Sequence, residues 1–413
     1  MLRNVPRGMR AFCEAAKIER FNVMKATNIR KLFVTFDFPP ISGGQASYYK
    51  NLWQELDPDS DRLLLPEHCR PFCDSANLSN VRFVRFPLGE TGLARLGRVG
   101  LLFLVLLGQC LFFRPAEIHA GQVLSVGLCC CLLRPLFRFR YVLYIHGADI
   151  MEFTRFRSFR DLILYILRHS SLVFANSKYT AGFMREKYPR APVAVVVNPG
   201  VEDRFFEETP LPDRVREVGQ GLAGRKVLLT VGRLVARKGH DTVIRALPLI
   251  ARDAPDVHYL VVGDGPNREN LQRLSEAIGV SDRVTFCGSV PDADLPSYYR
   301  LAHVFLMVSR RIESRGDVEG FGIVYLEANA TGLPAIAAGG CGATDAVAEG
   351  INGLLVRDAE SPSEVAQATL RLLKNPGLAA RIAESARAAA RSSVWGRRRA
   401  EWRMALATQR EDV

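Results

Sequence analysis

The sequence lacks any apolar run of the roughly 20 residues that a spanning helix needs. Its longest candidate, "VGLLFLVLLGQCLFF" at Val99–Phe113, holds 15 residues between Arg98 and Arg114. That length favours a buried helix of an α/β domain over insertion into a membrane. A secretory signal pattern is also missing, and the nine cysteines are odd in number, with three adjacent at Cys129–Cys131. Adjacent cysteines pair poorly with one another, so the thiols read as reduced and the protein as cytoplasmic. His68, Cys69 and Cys73 lie close together, but no second ligand pair follows, which argues against zinc.

Two phosphate loops are absent as well. No G-x-x-x-x-G-K-[ST] occurs, and no G-x-G-x-x-G opens the first βα unit, so kinase-like chemistry and dinucleotide hydride transfer lack their usual anchors. There is no Asp-x-Asp loop suited to a metal; "DAD" at 292–294 precedes a helix and reads as its cap. No cofactor or metal is expected.

Charge of one sign is missing from half of the chain. The formal net charge is +12, yet residues 201–413 carry 28 Lys and Arg against 28 Asp and Glu, while residues 1–200 carry 27 against 15. The whole excess sits in the first half and points to an anionic partner there, a membrane surface or nucleic acid. No aromatic-basic RNA motif appears, so nucleic acid is not expected. "EFTRFRSFRDLILYILRH", Glu152–His169, mixes arginine, phenylalanine and leucine. It suits a helix at a lipid interface, or equally a solvated amphipathic helix.

What is present is a rhythm. Short apolar runs at 31–36, 81–86, 117–120, 141–146, 172–177 and 193–198 alternate with helical patterns. A second series follows at 226–232, 258–263, 284–288, 304–309, 334–338 and 353–356. Near-continuous apolar strands between helices imply parallel sheets covered on both faces. The expected fold is α/β with two Rossmann-like domains, 28–199 and 200–391, facing each other across a cleft. "NPGVEDRFF" from Asn198 supplies the linker. Residues 1–27 read as a loose extension, and 392–413 as a helix packing back on the first domain.

Ligands in such sheets sit beyond the carboxyl ends of the strands. Polar and glycine residues gather there: Gly43 and Gly44, "HGAD" at His146–Asp149, "RLVARKG" at Arg233–Gly239, and "DVEGFGIVYLEANATGLPA" at Asp317–Ala335. Arg233 and Lys238 match a diphosphate. The Gly320-Phe321-Gly322 turn opens a helix whose free N–H groups make an anion site. Glu327, inside that helix, can accept ribose hydroxyls, and Glu319, before the turn, can orient a sugar beyond the phosphates, though either alone also reads as a solvated side chain.

Taken together, "GGQASYYKNL", "HGAD", "NPGV", "VGRLVARKG", "VVGDGPNRENL", "GSVPDADLPSYY" and "EGFGIVYLEANATGLPAIA" resemble the retaining glycosyltransferases of family 4, of GT-B fold. The match runs in family order from about residue 31 to 357, and Trp395 resembles the family's late aromatic. Its wording is nearest to bacterial mannosyl- and N-acetylglucosaminyl-type members. The resemblance implies that Glu319 contacts the donor hexose and Glu327 the ribose. Arg233 and Lys238 would stabilise charge on the leaving nucleotide diphosphate, assisted by the Gly322 and Ile323 amides. His146 would contact the sugar, Gly44 would approach the phosphates, and Gly263, Gly265 and Val290 would shape the base pocket. Phe321 belongs to the same donor-binding turn. The family's usual glutamate after the late glycine cluster is absent, and Asp345 stands nearby instead.

The activity implied is retaining, metal-free transfer of a hexose from a UDP- or GDP-linked sugar to an acceptor hydroxyl. No second carboxylate is placed as a covalent nucleophile, so front-face attack is expected. The partners expected are the donor, a lipid-linked or carbohydrate acceptor, and an anionic membrane surface met by the basic half. The setting is cytoplasmic, peripheral at the inner membrane face, in lipid-linked or cell-surface polysaccharide synthesis. Two rivals share the fold: a nucleotide-sugar 2-epimerase, which needs no acceptor, and an inactive scaffold docked on a membrane.

Overall fold

The computed structural model describes residues 29–41, 43–54, 56–87, 92–154, 156–312 and 316–411. The extension at 1–27 lies outside them. The first domain is built on β1 (Lys31–Val34), β2 (Asp61–Pro66), β3 (Val81–Val84), β4 (Glu117–Ala120), β5 (Arg140–Ile145), β6 (Leu172–Ala175) and β7 (Val195–Val196). Their order in the sheet is β3-β2-β1-β4-β5-β6-β7. The second is built on β8 (Lys226–Val231), β9 (Val257–Val262), β10 (Val284–Gly288), β11 (Val304–Met307), β12 (Ala335–Ala338) and β13 (Gly353–Val356), in the order β10-β9-β8-β11-β12-β13.

All strand pairs are parallel, with Val34 opposite Leu64 on one side and Ala120 on the other. The α/β architecture of two Rossmann-like domains is therefore present. In each sheet the strand order reverses once, between β1 and β4 and between β8 and β11. Crevices beyond the strand ends form at such reversals, and the two crevices face each other.

One strand escaped the sequence pattern. β2, "DRLLLP", has only three leucines between an Asp-Arg pair and a proline. Its pairing with β1 and β3 is what makes it a strand.

The apolar run in the first domain needs a larger correction. The helix containing it spans Gly92–Phe112, 21 residues, and 17% of the Leu96–Phe113 window is buried. It is long and apolar enough to cross a bilayer, and it is not a buried core helix. Leu102, Leu106 and Cys110, spaced by four, form its one buried stripe and join a cluster with Leu143 and Ile145 of β5. Leu104, Leu111 and Phe112 are exposed. The amphipathic stretch behaves alike: helix Arg157–His169 buries Ile163, Ile166 and Leu167 and exposes Phe159 and Tyr165.

The opposite face of the first sheet is closed by aromatics and by the chain's last helix, Trp395–Glu411. The chain crosses between domains twice, and the crossings hold each other: Val201 donates to the Ser393 carbonyl at 2.9 Å. Beyond this point Trp395 packs against Tyr48. Trp402 Nε1 donates to the Tyr144 hydroxyl at 2.9 Å, and that hydroxyl lies 2.7 Å from His119 Nδ1. His119 Nε2 lies 3.0 Å from buried Glu117. The last helix of the second half is thus anchored in the first domain by an indole and a polar chain. Trp402→Ala removes a buried indole and orphans that chain, so it is expected to destabilise the first domain by about 3–5 kcal/mol. A lowered urea midpoint checks this; a midpoint equal to the wild type refutes the anchor.

Candidate active site

The loop after β8 makes a single 3-10 turn, Ala236–Lys238, closed by Gly239 in the left-handed conformation. A Cβ at Gly239 would lie 2.2 Å from the Val308 carbonyl, so glycine is required there. The turn sends Lys238 inward. Its Nζ lies 2.5 Å from Glu319 Oε2, and Arg237 Nη1 lies 3.0 Å from the same oxygen. The Ser309 hydroxyl is 3.4 Å away. Arg237 Nε also pairs with Asp317 at 2.9 Å. Two cations and two carboxylates therefore form a compensated cluster at the strand-order reversal of the second sheet.

Three donors converge on Oε2, and among the described residues Oε1 has none. Oε1 is the oxygen left to accept a ligand hydroxyl. Burial by itself would raise the Glu319 carboxyl, but Lys238 and Arg237 outweigh it and hold the group below the usual carboxylate range. Burial pulls the Lys238 ammonium down, and Glu319 offsets part of that.

Gly320, Phe321 and Gly322 follow at once. Gly322, at φ 88°, is the residue before helix Ile323–Ala330, so a left-handed turn opens it. Phe321 is buried, while Ile323 packs against the aromatic cluster of the first domain. Gly320 meets that domain directly: a Cβ there would sit 2.1 Å from the His146 carbonyl oxygen. Gly342 stacks on its other side, where a Cβ would lie 2.0 Å from the Gly320 oxygen. The two domains touch through bare backbone at the site.

His146 arrives from the end of β5. Its backbone N–H donates to Asp149 Oδ1 at 3.0 Å. Its Nε2 is 2.8 Å from the Tyr49 hydroxyl, which donates to the Gly121 carbonyl at 2.6 Å. The tyrosine proton is committed to that carbonyl, so Nε2 carries its own hydrogen and Nδ1 the lone pair. Burial lowers the imidazole to about 3, so the ring is neutral at ordinary pH. Burial raises Asp149 to about 6 against its backbone donors.

The other expected residues are distributed less simply. Arg233 is exposed, and among the described residues its side chain has no protein partner. Glu327 points away from the Glu319 cluster and accepts from the Tyr299 hydroxyl at 2.7 Å. Burial raises it to about 7, with Asp292 adding to the effect. Gly44 begins helix Gly44–Leu52, with open space where a Cβ would project. Gly263 and Gly265 have a backbone reason to be glycine, because Cβ atoms would fall 2.1 Å and 2.7 Å from the Gly232 and Leu234 oxygens. Val290 is partly buried beyond β10. Asp345 does not face the cleft freely; its carboxylate accepts from the Lys178 backbone N–H of the first domain. Of "DAD", Asp294 stands at the N-cap of helix Leu295–Arg300 without a side-chain cap hydrogen bond, and Asp292 pairs with Arg204 at 3.0 Å.

Arg237 and Tyr49 were missed in the sequence reading. Arg237 stands beside Lys238 in "RLVARKG", and only the turn geometry separates the inward Lys238 from the exposed Arg233. Tyr49 lies in "GGQASYYKNL", but nothing local tells that it meets a histidine 97 positions away.

Comparison with known proteins places this geometry. Residues 215–389 match the family model described as Glycosyl transferases group 1. The chain is 32% identical over 365 residues to the GDP-mannose-dependent alpha-(1-6)-phosphatidylinositol monomannoside mannosyltransferase of Mycolicibacterium smegmatis, covering 86% of this chain and 92% of the relative. Among solved structures, Anabaena HepE in complex with UDP and glucose superposes with TM-score 0.75 at 21% identity, over 92% of this chain and 100% of that one. Sucrose-phosphate synthase from Thermosynechococcus elongatus gives TM-score 0.77 at 20% identity, over 94% and 100%.

Two outcomes are expected. Arg237→Gln removes one of the cations that keep Glu319 ionised, so its carboxyl rises and the acidic limb of the kcat/KM profile moves to higher pH. Activity is then lost first on the acid side, and an unmoved limb would mean Glu319 ionisation does not govern turnover. Gly320→Ala forces the two backbones apart and is expected to lower kcat/KM about 100-fold with little change in melting temperature. A variant with wild-type kcat/KM would show that this approach is not needed for turnover.

Proposed function

The chain belongs to the group 1 glycosyl transferases of GT-B fold, and on that premise we propose that it moves mannose from GDP-mannose to an inositol-phospholipid glycoside at the cytoplasmic membrane face. The class of activity follows from the family: a nucleotide-sugar hexosyltransferase with an acceptor hydroxyl, in synthesis of lipid-linked glycans. The sugar, base and acceptor rest on the mycobacterial relative, whose similarity extends over most of both chains.

The observation that carries the reading is the placement of Glu319. A carboxylate with one committed oxygen and one free oxygen stands at a glycine turn, beside a buried ammonium. In this reading Glu319 Oε1 accepts a mannose hydroxyl. Lys238, with Arg233 swinging in from its exposed position, takes the diphosphate together with the Gly322 and Ile323 amides. Gly44 lets the first domain approach the same phosphates. Glu327 exchanges Tyr299 for the ribose, and Gly263, Gly265 and Val290 border the base. Neutral His146 faces the sugar.

The acceptor oxygen attacks the anomeric carbon on the face from which the diphosphate departs. The C–O bond to phosphate breaks as the new glycosidic bond forms, and the hydroxyl proton passes to the departing phosphate oxygen. Configuration is retained, and the two cations rather than a metal ion compensate the leaving charge. The basic first half rests on an anionic membrane surface, where a lipid-borne acceptor is found.

The test is a thermal-shift series with GDP, UDP and ADP, followed by transfer from GDP-mannose to phosphatidylinositol mannoside. GDP at 100 times its Kd is expected to stabilise by about 2.7 kcal/mol, and Arg233→Ala to abolish the shift. Transfer should require the lipid acceptor and fall 100- to 1,000-fold, as an order of magnitude, in Lys238→Ala. A shift with UDP alone would overturn the mannosyl donor, and free epimerised sugar formed without acceptor would overturn the transferase.

A further inference from the structure

Of the thirteen large hydrophobic side chains exposed among the described residues, nine lie between Leu96 and Tyr165. Seven of them stand on helices Gly92–Phe112, Leu128–Leu133 and Arg157–His169, which pack side by side as a layer on one face of the first sheet, and Leu136 and Phe156 flank those helices. Exposed apolar side chains gathered on adjacent helices, rather than scattered singly, mark an interaction face. Leu102, Leu106 and Cys110 hold the second half of the layer's longest helix against the sheet. The layer can lie flat.

The far end of this layer carries a pocket of about 360 Å³, lined by Leu111, Arg114, Phe137 and Arg138 among others, with no acidic side chain. Arg114 holds the left-handed position that ends the long helix, φ 52°, and its Nε donates to the Leu111 carbonyl at 3.3 Å. Its terminal nitrogens, and the whole Arg138 guanidinium, have no protein partner among the described residues. Arg62 stands close by, stacked 4.0 Å over the Phe113 ring. The helix runs back from the carboxyl end of β3 to the start of β4, so this pocket lies at the edge opposite the cleft. Twenty-one residues put it about 30 Å from the cleft rim.

We propose that this helix layer is the membrane-docking face, and that the Arg114–Arg138 pocket holds the phosphate of an anionic lipid headgroup while Leu104, Leu111 and Phe112 enter the acyl boundary. This lipid is a docking ligand, separate from any acceptor in the cleft. The inference rests on the reading that the acceptor is lipid-borne. Planar guanidinium groups suit phosphate, and unpaired arginines beside exposed phenylalanine and leucine match an interfacial helix, charge outward and apolar side inward. A second copy of the chain would bring the same arginines near to one another, which charge opposes.

The experiment is flotation of the full chain with vesicles of phosphatidylcholine alone and of phosphatidylcholine mixed with phosphatidylglycerol. The wild type is expected to float with the mixed vesicles, less so as salt rises. Arg114→Gln with Arg138→Gln is expected to weaken that binding about 30-fold, and Leu104→Asp to weaken it as well. The double variant should keep its nucleotide-induced thermal shift, since both arginines are remote from the cleft. Flotation of the double variant equal to wild type overturns the headgroup site. A wild type that stays with the pellet and elutes as a dimer overturns the docking face. Flotation without any nucleotide shift or transfer sinks the mannosyltransferase reading and leaves the docking face standing.

Discussion

Burying one carboxylate without compensation costs several kcal/mol, and the cleft is organised around the way Glu319 avoids that cost. Lys238 and Arg237 reach the same oxygen from one short turn, at 2.5 Å and 3.0 Å. The turn is possible because Gly239 adopts a left-handed conformation against the Val308 carbonyl. Asp317 then balances the second cation. The cluster of Lys238, Arg237, Glu319 and Asp317 is thus neutral as it stands. Glu319, Lys238 and Arg237 are positioned by one another, whereas Arg233 of the same loop is exposed.

The same loop also sets how near the domains come. Gly342, Gly320 and the His146 carbonyl stack with no side chain between them. Any Cβ at Gly320 would enlarge the gap and move Glu319 relative to His146. Closure here depends on what is missing from the side chains, and it ties a first-domain histidine to a second-domain carboxylate. The paired crossings at Val201 and Ser393, with Trp402 anchored on Tyr144, join the domains a second time.

The first domain answers a different requirement. Its outer layer is more apolar than a soluble surface needs, yet its buried stripes are ordinary for a helix on a sheet. On the proposed reading, a lipid-borne acceptor requires the enzyme to meet an interface without leaving its own fold. A helix that is bound along one side and apolar along the other satisfies both conditions. Its polarity along the sheet places one end at the cleft rim and the other among arginines.

Sequence alone was enough for the two parallel sheets, because a fully buried strand must be apolar throughout and therefore shows in any register. It failed for β2, where three leucines between polar neighbours carry no such signal and neighbouring strands make the assignment. Glycine turns and charged loops at strand ends marked Glu319, Lys238 and His146 as candidates, since ligands gather at those ends. Which cation faces inward was not legible: Arg233, Arg237 and Lys238 share one loop, and a 3-10 turn sorts them. Neither was the role of Val99–Phe113, because composition measures how apolar a helix is, not which of its sides a sheet covers. Local chemistry marked the elements and the candidate residues, and the resemblance of the motifs implied the family; the tertiary structure decided orientation, pairing and exposure, because those depend on neighbours that are distant in the chain.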